Sequence, residues 1–477
     1  MEIMTKHIDN KMITCNNKDA PWVTSEVKTA IRRNSRVYRK WVNRGRNPNE
    51  QDRVRVIRNI TNKIIKEAKL AYYTNLGNKL STPDIGHRHF WTAYKKLAFK
   101  KADPNIPPIV NGGEYISKCK DKVRVFNEYF ANQCTINENG STLPDVHMKT
   151  NTSLNYISVT TKNITDIINS LGSHKAHGHD GISVSMLKLC ANEVAVPLQI
   201  IFRDCVSSGM FPNLWKCANV QPIHKKDNRQ KIGNYRPISL LPICAKIFEK
   251  IIFDQVYEYL DSNNLLSINQ SGFRPGDSTI NQLLSITTTI YNAFENHDET
   301  RAIFLDISKA FDKVWHEGLL YKLKCNGISD SLFTLLGDYL TNRYQRVVLN
   351  GHVSDWMMLN AGVPQGSVLG PLLFLVYIND LTDNISSDMR LFADDSSLFT
   401  CVKGVDDTQL KLVQDLNTIA NWGYQWKMTF NPDISKQAIE IIFSCKAKKP
   451  SHPSLTFNDI PIARKSDTRH LGVYLDE

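Results

Sequence analysis

The chain has 477 residues, 42% of them hydrophobic, and 59 Lys and Arg against 47 Asp and Glu give a net charge of +12. That length accommodates about three domains with real cores, and the basic balance (pI near 9.1) points to a polyanionic partner, nucleic acid or an anionic membrane. The longest apolar run, "SVLGPLLFLVYI" from Ser367 to Ile378, is too short to span a bilayer and reads as a buried helix. The N-terminal stretch "MEIMTKHIDNKMITCNN" has no apolar h-region, so nucleic acid is the better partner. Ten cysteines stand singly, without a CxxC pair. They read as reduced, mostly buried thiols of an intracellular protein rather than a disulfide frame or zinc site.

In chain order, the first element is a pair of basic helices within residues 1–102. Val37, Trp41 and Val42, then Val54, Ile57, Ile60, Ile64 and Ile65, recur every three or four residues among Arg and Lys. The basic outer faces are either ordinary solvated surface or, given Tyr38, Trp41, Tyr72 and Tyr73 among them, phosphate-contacting surface with some stacking. Residues 103–152 are rich in Pro, Gly and Asn and read as a weakly ordered linker with one short helical patch, "KDKVRVFNEYFANQ". From residue 153 onward short apolar runs alternate with helical patterns, as in a mixed α/β domain.

Within that domain "HKAHGHD", His174 to Asp180, offers three histidines either to a metal or, more simply, to a loop. "WKCANVQPIHKK" reads as a strand ending in Lys225 and Lys226, and "GNYRPISLL" holds Arg236 extended before Pro237, a posture suited to gripping phosphate. "AKIFEKIIFDQVYEYLDSNNLL" is an amphipathic scaffold helix stopping at asparagines.

Two stretches place acids where strands end. "RAIFLDISKAFDKVWH" closes an apolar strand on Asp306, with Phe311 and Asp312 at the start of a helix; Asp312 serves there as an N-cap and stays outside the site. "RLFADDSSLF" sets Asp394 beside Asp395, which is either a polar hairpin turn or one end of a metal site. Between them lies "AGVPQGSVLGPLLFLVYIND", a Gly- and Pro-rich loop opening a buried helix. Three carboxylates from two strand edges would hold two divalent cations about 3.5–4 Å apart, and oxygen ligands with a phosphate-bearing substrate suit Mg²⁺.

"FLDISKAFDKVWH", "AGVPQGSVLGPLLFLVYIND" and "LFADDSSLF", in that order, resemble the reverse-transcriptase motifs of non-LTR retrotransposons of the jockey-like or LINE-like kind. "NYRPISLL", "QSGFRPGDST", "YLTNRYQRVVLNG", "WKMTFNPDISK" and "RHLGVYLD" are similar to further blocks of that family, from about residue 161 to the C-terminus. The resemblance implies an RNA-directed DNA polymerase with a right-hand fold: a mixed α/β, ferredoxin-like palm, mostly helical fingers and a basic helical extension before them. The polymerase domain would span 153–477, with its core at about 204–477. It further implies two Mg²⁺ ions (Mn²⁺ as the alternative), an RNA template, a DNA primer and dNTPs, in the nucleus and cytoplasm of a host.

Residue by residue, the resemblance gives Asp306, Asp394 and Asp395 as catalytic carboxylates and metal ligands, with the Ile307 carbonyl as an extra ligand. Phe311 matches the aromatic gate against a 2′-hydroxyl, and Gln365 and Gly366 the loop under the incoming nucleotide. Arg236 and Lys225 match triphosphate contacts, and Lys436 the proton donor to pyrophosphate, unless it is a solvated surface lysine. Arg274, Arg343 and Gly472 fall in primer and template blocks. Lys175, Asp180 and Gly181 fit an RNA-contacting loop, which weakens the histidine metal reading. The resemblance also implies an endonuclease before the basic helices and a thumb after residue 477. On that reading the chain is part of a polyprotein with the thumb largely absent. The rival readings are a catalytically inactive RNA-binding remnant and an intron maturase.

Overall fold

The computed structural model describes residues 20, 22–81, 90, 94, 106–137, 142–225, 227–431, 437–447 and 450–477. The chain divides into two compact units, residues 10–106 and the remainder.

In the first unit α1 (Ser25–Asn43) and α2 (Gln51–Leu80) form an antiparallel hairpin. Thr24 caps α1 by accepting from the Val27 N–H at 3.3 Å. Thr61 donates to the Ala30 carbonyl at 3.4 Å, and the Lys69 ammonium lies 4.6 Å from the Trp22 ring centroid. Val27, Thr61 and Leu76 are buried, while Arg32, Arg33, Arg36 and Arg39 are exposed.

The second unit is a mixed helix and sheet domain. It begins with the strands β1 (Ile109–Asn111) and β2 (Glu114–Ile116), then α3 (Cys119–Gln133). The stretch expected to be a weakly ordered linker therefore holds a 15-residue helix whose Val123, Phe126 and Phe130 are buried. The helical patch read there is a docked element, because its apolar side chains have a sheet to pack on. Next come α4 (Thr161–Ser170), α5 (Val184–Leu189), α6 (Ala191–Ser208), β3 (Cys217–His224), β4 (Tyr235–Leu240), α7 (Ile243–Ser262) and α8 (Thr279–Glu295). The remaining elements before the acidic hairpin are β5 (Glu299–Asp306), α9 (His316–Cys325), α10 (Asp330–Leu340), β6 (Arg343–Leu349), β7 (His352–Val353), β8 (Met357–Leu359) and α11 (Leu369–Ile378). β9 (Asp388–Phe392), β10 (Asp395–Val402), α12 (Val405–Gln425) and β11 (Ala438–Phe443) follow. Short strands close the chain: β12 (Thr456–Phe457), β13 (Ile460–Pro461), β14 (Ala463–Arg464), β15 (Asp467–His470) and β16 (Val473–Asp476).

One five-stranded sheet runs β14-β11-β5-β10-β9. Its central strand β5 is buried from Glu299 to Leu305 and surfaces only at Asp306, as a strand covered on both faces must. On one face Ile286 and Ile290 of α8 pack against Phe304, Phe399 and Ile441. On the other, Ile303 and Leu305 join the main core with α7, α9, α10, α11 and α12. Helix α11 is apolar on every side, and nine of its residues are buried. At the end of β5 away from Asp306, the buried Arg301 donates to Glu440 on β11 at 2.7 Å. That pair clamps the sheet; removing one partner would leave the other charge buried and unpaired.

The second sheet runs β4-β3-β6-β7, with β8 also on β6. Its inner face receives α3, where Phe126 meets Tyr235 edge-on at 5.0 Å between centroids. No described helix is long and apolar enough to cross a membrane.

Candidate active site

β5 and β10 are antiparallel with Asp306 opposite Asp395, and β10 pairs equally with β9 so that Asp395 faces Phe392. Asp394 therefore sits in the tight turn between β9 and β10, beside the end of β5. The turn depends on Ala393, whose φ of 57° lies in the left-handed region, a costly place for a residue with a Cβ. Its support comes from the segment before α8. The buried Gln270 accepts from the Ala393 N–H at 2.9 Å and from the Gly272 N–H at 2.7 Å. A Cβ on Gly272 would lie 2.2 Å from the Ala393 nitrogen, so only glycine permits this approach. Sequence reasoning missed Gln270, although the Gln-Ser-Gly run was a turn signal.

Asp306 is held from the far side. The Asn431 amide donates to Asp306 Oδ2 at 2.7 Å, and its backbone N–H donates to the Asp306 carbonyl at 2.8 Å, while Ser308 N–H donates to the Thr429 carbonyl at 2.8 Å. These two backbone bonds flank the Ile307 carbonyl rather than use it.

The acids crowd one another. Burial, then the neighbouring Asp394 and Asp306, push the Asp395 carboxyl up to about 6, against the pull of Lys225 and Arg236. Asp394 is raised as well, first by burial, with Asp306 adding and Lys225 and Arg236 opposing. Lys225, at the exposed tip of the β3–β4 hairpin, and Arg236 at the start of β4 therefore face the acids. Lys309, also left-handed at φ 51°, shares their neighbourhood: burial lowers its pKa and Lys225 and Arg236 lower it further. Sequence reasoning did not single out Lys309.

Phe311 lies in a short 3₁₀ turn, Ala310–Lys313, stacked on Phe374 at 4.6 Å and edge-on to Phe273 at 5.8 Å between centroids. Asp312 is not a helix N-cap. It is inside that turn and buried, and α9 begins only at His316, after Trp315. Burial pushes its carboxyl up to about 6, and its Oδ1 accepts from the Gln365 side chain at 2.8 Å. The Gln365 carbonyl accepts from Ser239 N–H on β4 at 2.7 Å. A Cβ on Gly366 (φ +120°) would lie 2.6 Å from the Ser239 carbonyl oxygen. Sequence reasoning set Asp312 aside as a helix N-cap, and nothing local to it pointed to its partner in space, Gln365.

The other expected residues separate. Arg343 is buried, donates to the Tyr339 carbonyl at 2.9 Å and lies over the Tyr339 ring. The two-residue period of β6 turns 343, 345 and 347 inward and 344 and 346 outward. Arg274 is tied to Asp261 at 2.6 Å and to the Ser267 carbonyl at 3.0 Å. Gly472, with φ 91°, makes the turn between β15 and β16. In the 174–181 segment, Gly178 presses on Pro242, Gly181 has φ +72°, and Asp180 accepts from Ile182 N–H at 3.2 Å; Lys175 is exposed there. Lys436 lies outside the described residues.

A mixed sheet thus carries acids at adjacent strand ends, with cations opposite. Residues 223–475 match the family model described as reverse transcriptase (RNA-dependent DNA polymerase). The chain belongs to that family. It is 28% identical over 413 residues to the "Probable RNA-directed DNA polymerase from transposon BS" of Drosophila melanogaster, covering 83% of this chain and 45% of that protein. It is 31% identical over 320 residues to the same species' "Probable RNA-directed DNA polymerase from transposon X-element" (66% and 34% coverage). The "RNA-directed DNA polymerase from mobile element jockey", also from that fly, is 31% identical over 333 residues (68% and 36%). The chain thus spans between about a third and a half of the length of these relatives.

Reverse transcriptases generally work with divalent metal ions, and the donor set fits such ions in chemistry: three carboxylates and a carbonyl, all oxygen, with two acids raised by burial and mutual repulsion. Their side chains are neighbours rather than a closed cage, since no three His, Cys, Asp or Glu among the described residues are grouped to hold a metal.

Proposed function

We propose that this chain is the polymerase part of a non-LTR retrotransposon protein, extending a DNA 3′-end on an RNA template. The observation that carries the reading is Asp306 opposite Asp395, with Asp394 in the turn that Gln270 supports. We read the β14-β11-β5-β10-β9 sheet with its helices as the palm, and the β4-β3-β6-β7 sheet with α3 as part of the fingers.

Asp306, Asp394, Asp395 and the Ile307 carbonyl would hold two Mg²⁺ or Mn²⁺ ions. When bound, such ions lower the pKa of an attacking hydroxyl and stabilise charge on the transferring and leaving phosphates. Arg236 and Lys225 pair with the triphosphate, Lys309 standing beside them. Phe311, braced by Phe374 and Phe273, excludes a 2′-hydroxyl. Gln365 and Gly366 form the floor under the nucleotide, held by Asp312 and Ser239. Lys436 delivers a proton to pyrophosphate.

The test is primer extension on a homopolymer RNA template. Asp394→Asn keeps the shape but removes one negative charge, and extension should fall at least about 10³-fold with RNA binding little changed. Near-normal extension by that variant would remove the assignment.

A further inference from the structure

The loop of residues 361–366, the proposed floor under a nucleotide, is fastened at both ends by groups of other elements. At its start the Gly362 N–H donates to the Val314 carbonyl and the Val363 N–H to the Phe311 carbonyl, both at 2.8 Å. His316 Nε2, on a buried side chain, donates to the Gly362 carbonyl at 2.8 Å. A Cβ on Gly362 (φ +84°) would lie 2.8 Å from the Asp312 carbonyl oxygen, so the loop lies directly on the 3₁₀ turn. Beyond its other end the fully buried Glu249 of α7 accepts from the Val368 N–H at 2.6 Å and the Leu369 N–H at 3.2 Å. Glu249 thereby caps α11, as a negative charge at a helix N-terminus does, with Arg343 offsetting part of that charge.

Backbone bonds fix where the loop runs, but not which way a side-chain amide turns. The Gln365 amide has a donor end and an acceptor end of nearly the same shape. Asp312 is 3% exposed, and its Oδ1 accepts from Gln365 Nε2 at 2.8 Å. Burial lifts that carboxyl only to about 6, so at neutral pH it is ionised and can accept but not donate. Only the NH₂ end of Gln365 can meet it. Asp312 Oδ2 is buried without a partner among the described residues, so releasing Gln365 would leave a buried charge with no side-chain donor, a costly state. Gln365 itself is half-buried, and its Oε1 stays accessible, with no donor among the described residues.

We infer that Asp312 is a positioning residue for nucleotide recognition: it locks the Gln365 amide so that the oxygen, an acceptor, is the atom presented to the incoming nucleotide. The site then favours a nucleotide with a hydrogen-bond donor at that point. Because the amide is oriented beforehand, little rotamer freedom is lost on binding. The inference rests on the polymerase reading, which supplies the nucleotide.

The test is single-nucleotide primer extension on an RNA template, with kcat and the nucleotide KM separated, beside denaturant melts of the full chain. Asp312→Asn keeps the shape but lets either end of Gln365 find a partner, because an amide both donates and accepts. Its nucleotide KM should rise about 10-fold with kcat within about threefold, the mark of binding lost equally from ground and transition states. Gln365→Glu should raise KM at least as much, since two carboxylates then face each other. In Asp312→Asn/Gln365→Glu the Asn amide donates to the Glu, whose second oxygen faces the nucleotide, and the net charge of the pair is unchanged. That swap should return KM to within about threefold of the parent, because each change supplies what the other removed.

A swap no better than Gln365→Glu alone, or an Asp312→Asn chain that folds and keeps the parent KM, would overturn the inference. So would variants whose only defect is stability, which would make Asp312 a packing residue. The melts read the contact without turnover: Asp312→Ala and Gln365→Ala should together lose less stability than the sum of the two, and additive losses would also overturn it. An inactive parent that shows this coupling keeps the hold on Gln365 and loses the polymerase reading; an active parent whose variants leave KM alone does the reverse.

Discussion

Asp395 shows what crowding acids together costs the folded chain. Its carboxyl is raised to about 6, and so is that of Asp312. A carboxyl raised in the folded state binds more protons there than in the unfolded chain. Its contribution to stability is therefore full below the ordinary carboxylate range and is lost as pH rises from about 4 through 6. Asp395→Asn removes that loss at one position. In the absence of divalent ions the variant should be the more stable at pH 8, by less than about 1 kcal/mol because solvent screens an accessible acid. Added Mg²⁺ should raise the parent's Tm more than the variant's, since a ligand stabilises only the state that binds it. Thermal melts across pH with and without Mg²⁺ check this, and a variant less stable than the parent at pH 8 contradicts it.

At the scale of elements, the β9–β10 hairpin is shaped from outside itself. Its turn residue Ala393 is left-handed, and the hydrogen bonds that offset this come from Gln270. Gln270→Ala would leave two buried N–H groups unpaired, a loss of about 2–4 kcal/mol, and on the proposed polymerase reading extension should fall because Asp394 is no longer held. Gln270→Glu keeps an acceptor for both groups and should lose less stability. Gly272→Ala puts a Cβ against the Ala393 backbone and should be more damaging than either. Denaturant melts paired with extension rates rank the three, and Gln270→Ala matching the parent in both would show that the hairpin holds its own turn.

For the whole molecule, charge is very unevenly shared. Residues 25–80 hold 15 Lys and Arg against four Asp and Glu, a net of +11 beside the chain total of +12. The helix hairpin is thus a concentrated basic body, and the rest of the chain is close to neutral. Replacing Arg32, Arg33, Arg36 and Arg39 by Gln keeps helix propensity while removing four exposed charges. On the reading that RNA is the partner, the log–log salt slope of binding should drop by about 0.7 for each phosphate that the variant no longer neutralises. An unchanged slope would make those arginines ordinary solvated surface.

The sequence by itself determined what local pattern and chemistry determine. The buried helix at Leu369–Ile378 was legible because every side chain is apolar, and the basic helices because their apolar residues keep helical spacing. That Asp306, Asp394 and Asp395 lie at strand ends was legible because the apolar runs stop there. Tertiary structure alone decided the rest. Asp312 took its partner, Gln365, from a distant loop; Gln270 supports a turn more than a hundred residues away. Arg343 turned inward and Tyr344 and Arg346 outward because pairing with β3 and β8 set the register of β6. The stretch read as a linker folds into α3 because a sheet face assembled from β3, β4 and β6 waits for Phe126 and Phe130. A side chain's burial depends on what the chain brings over it from far away, and spacing along the sequence carries no record of that.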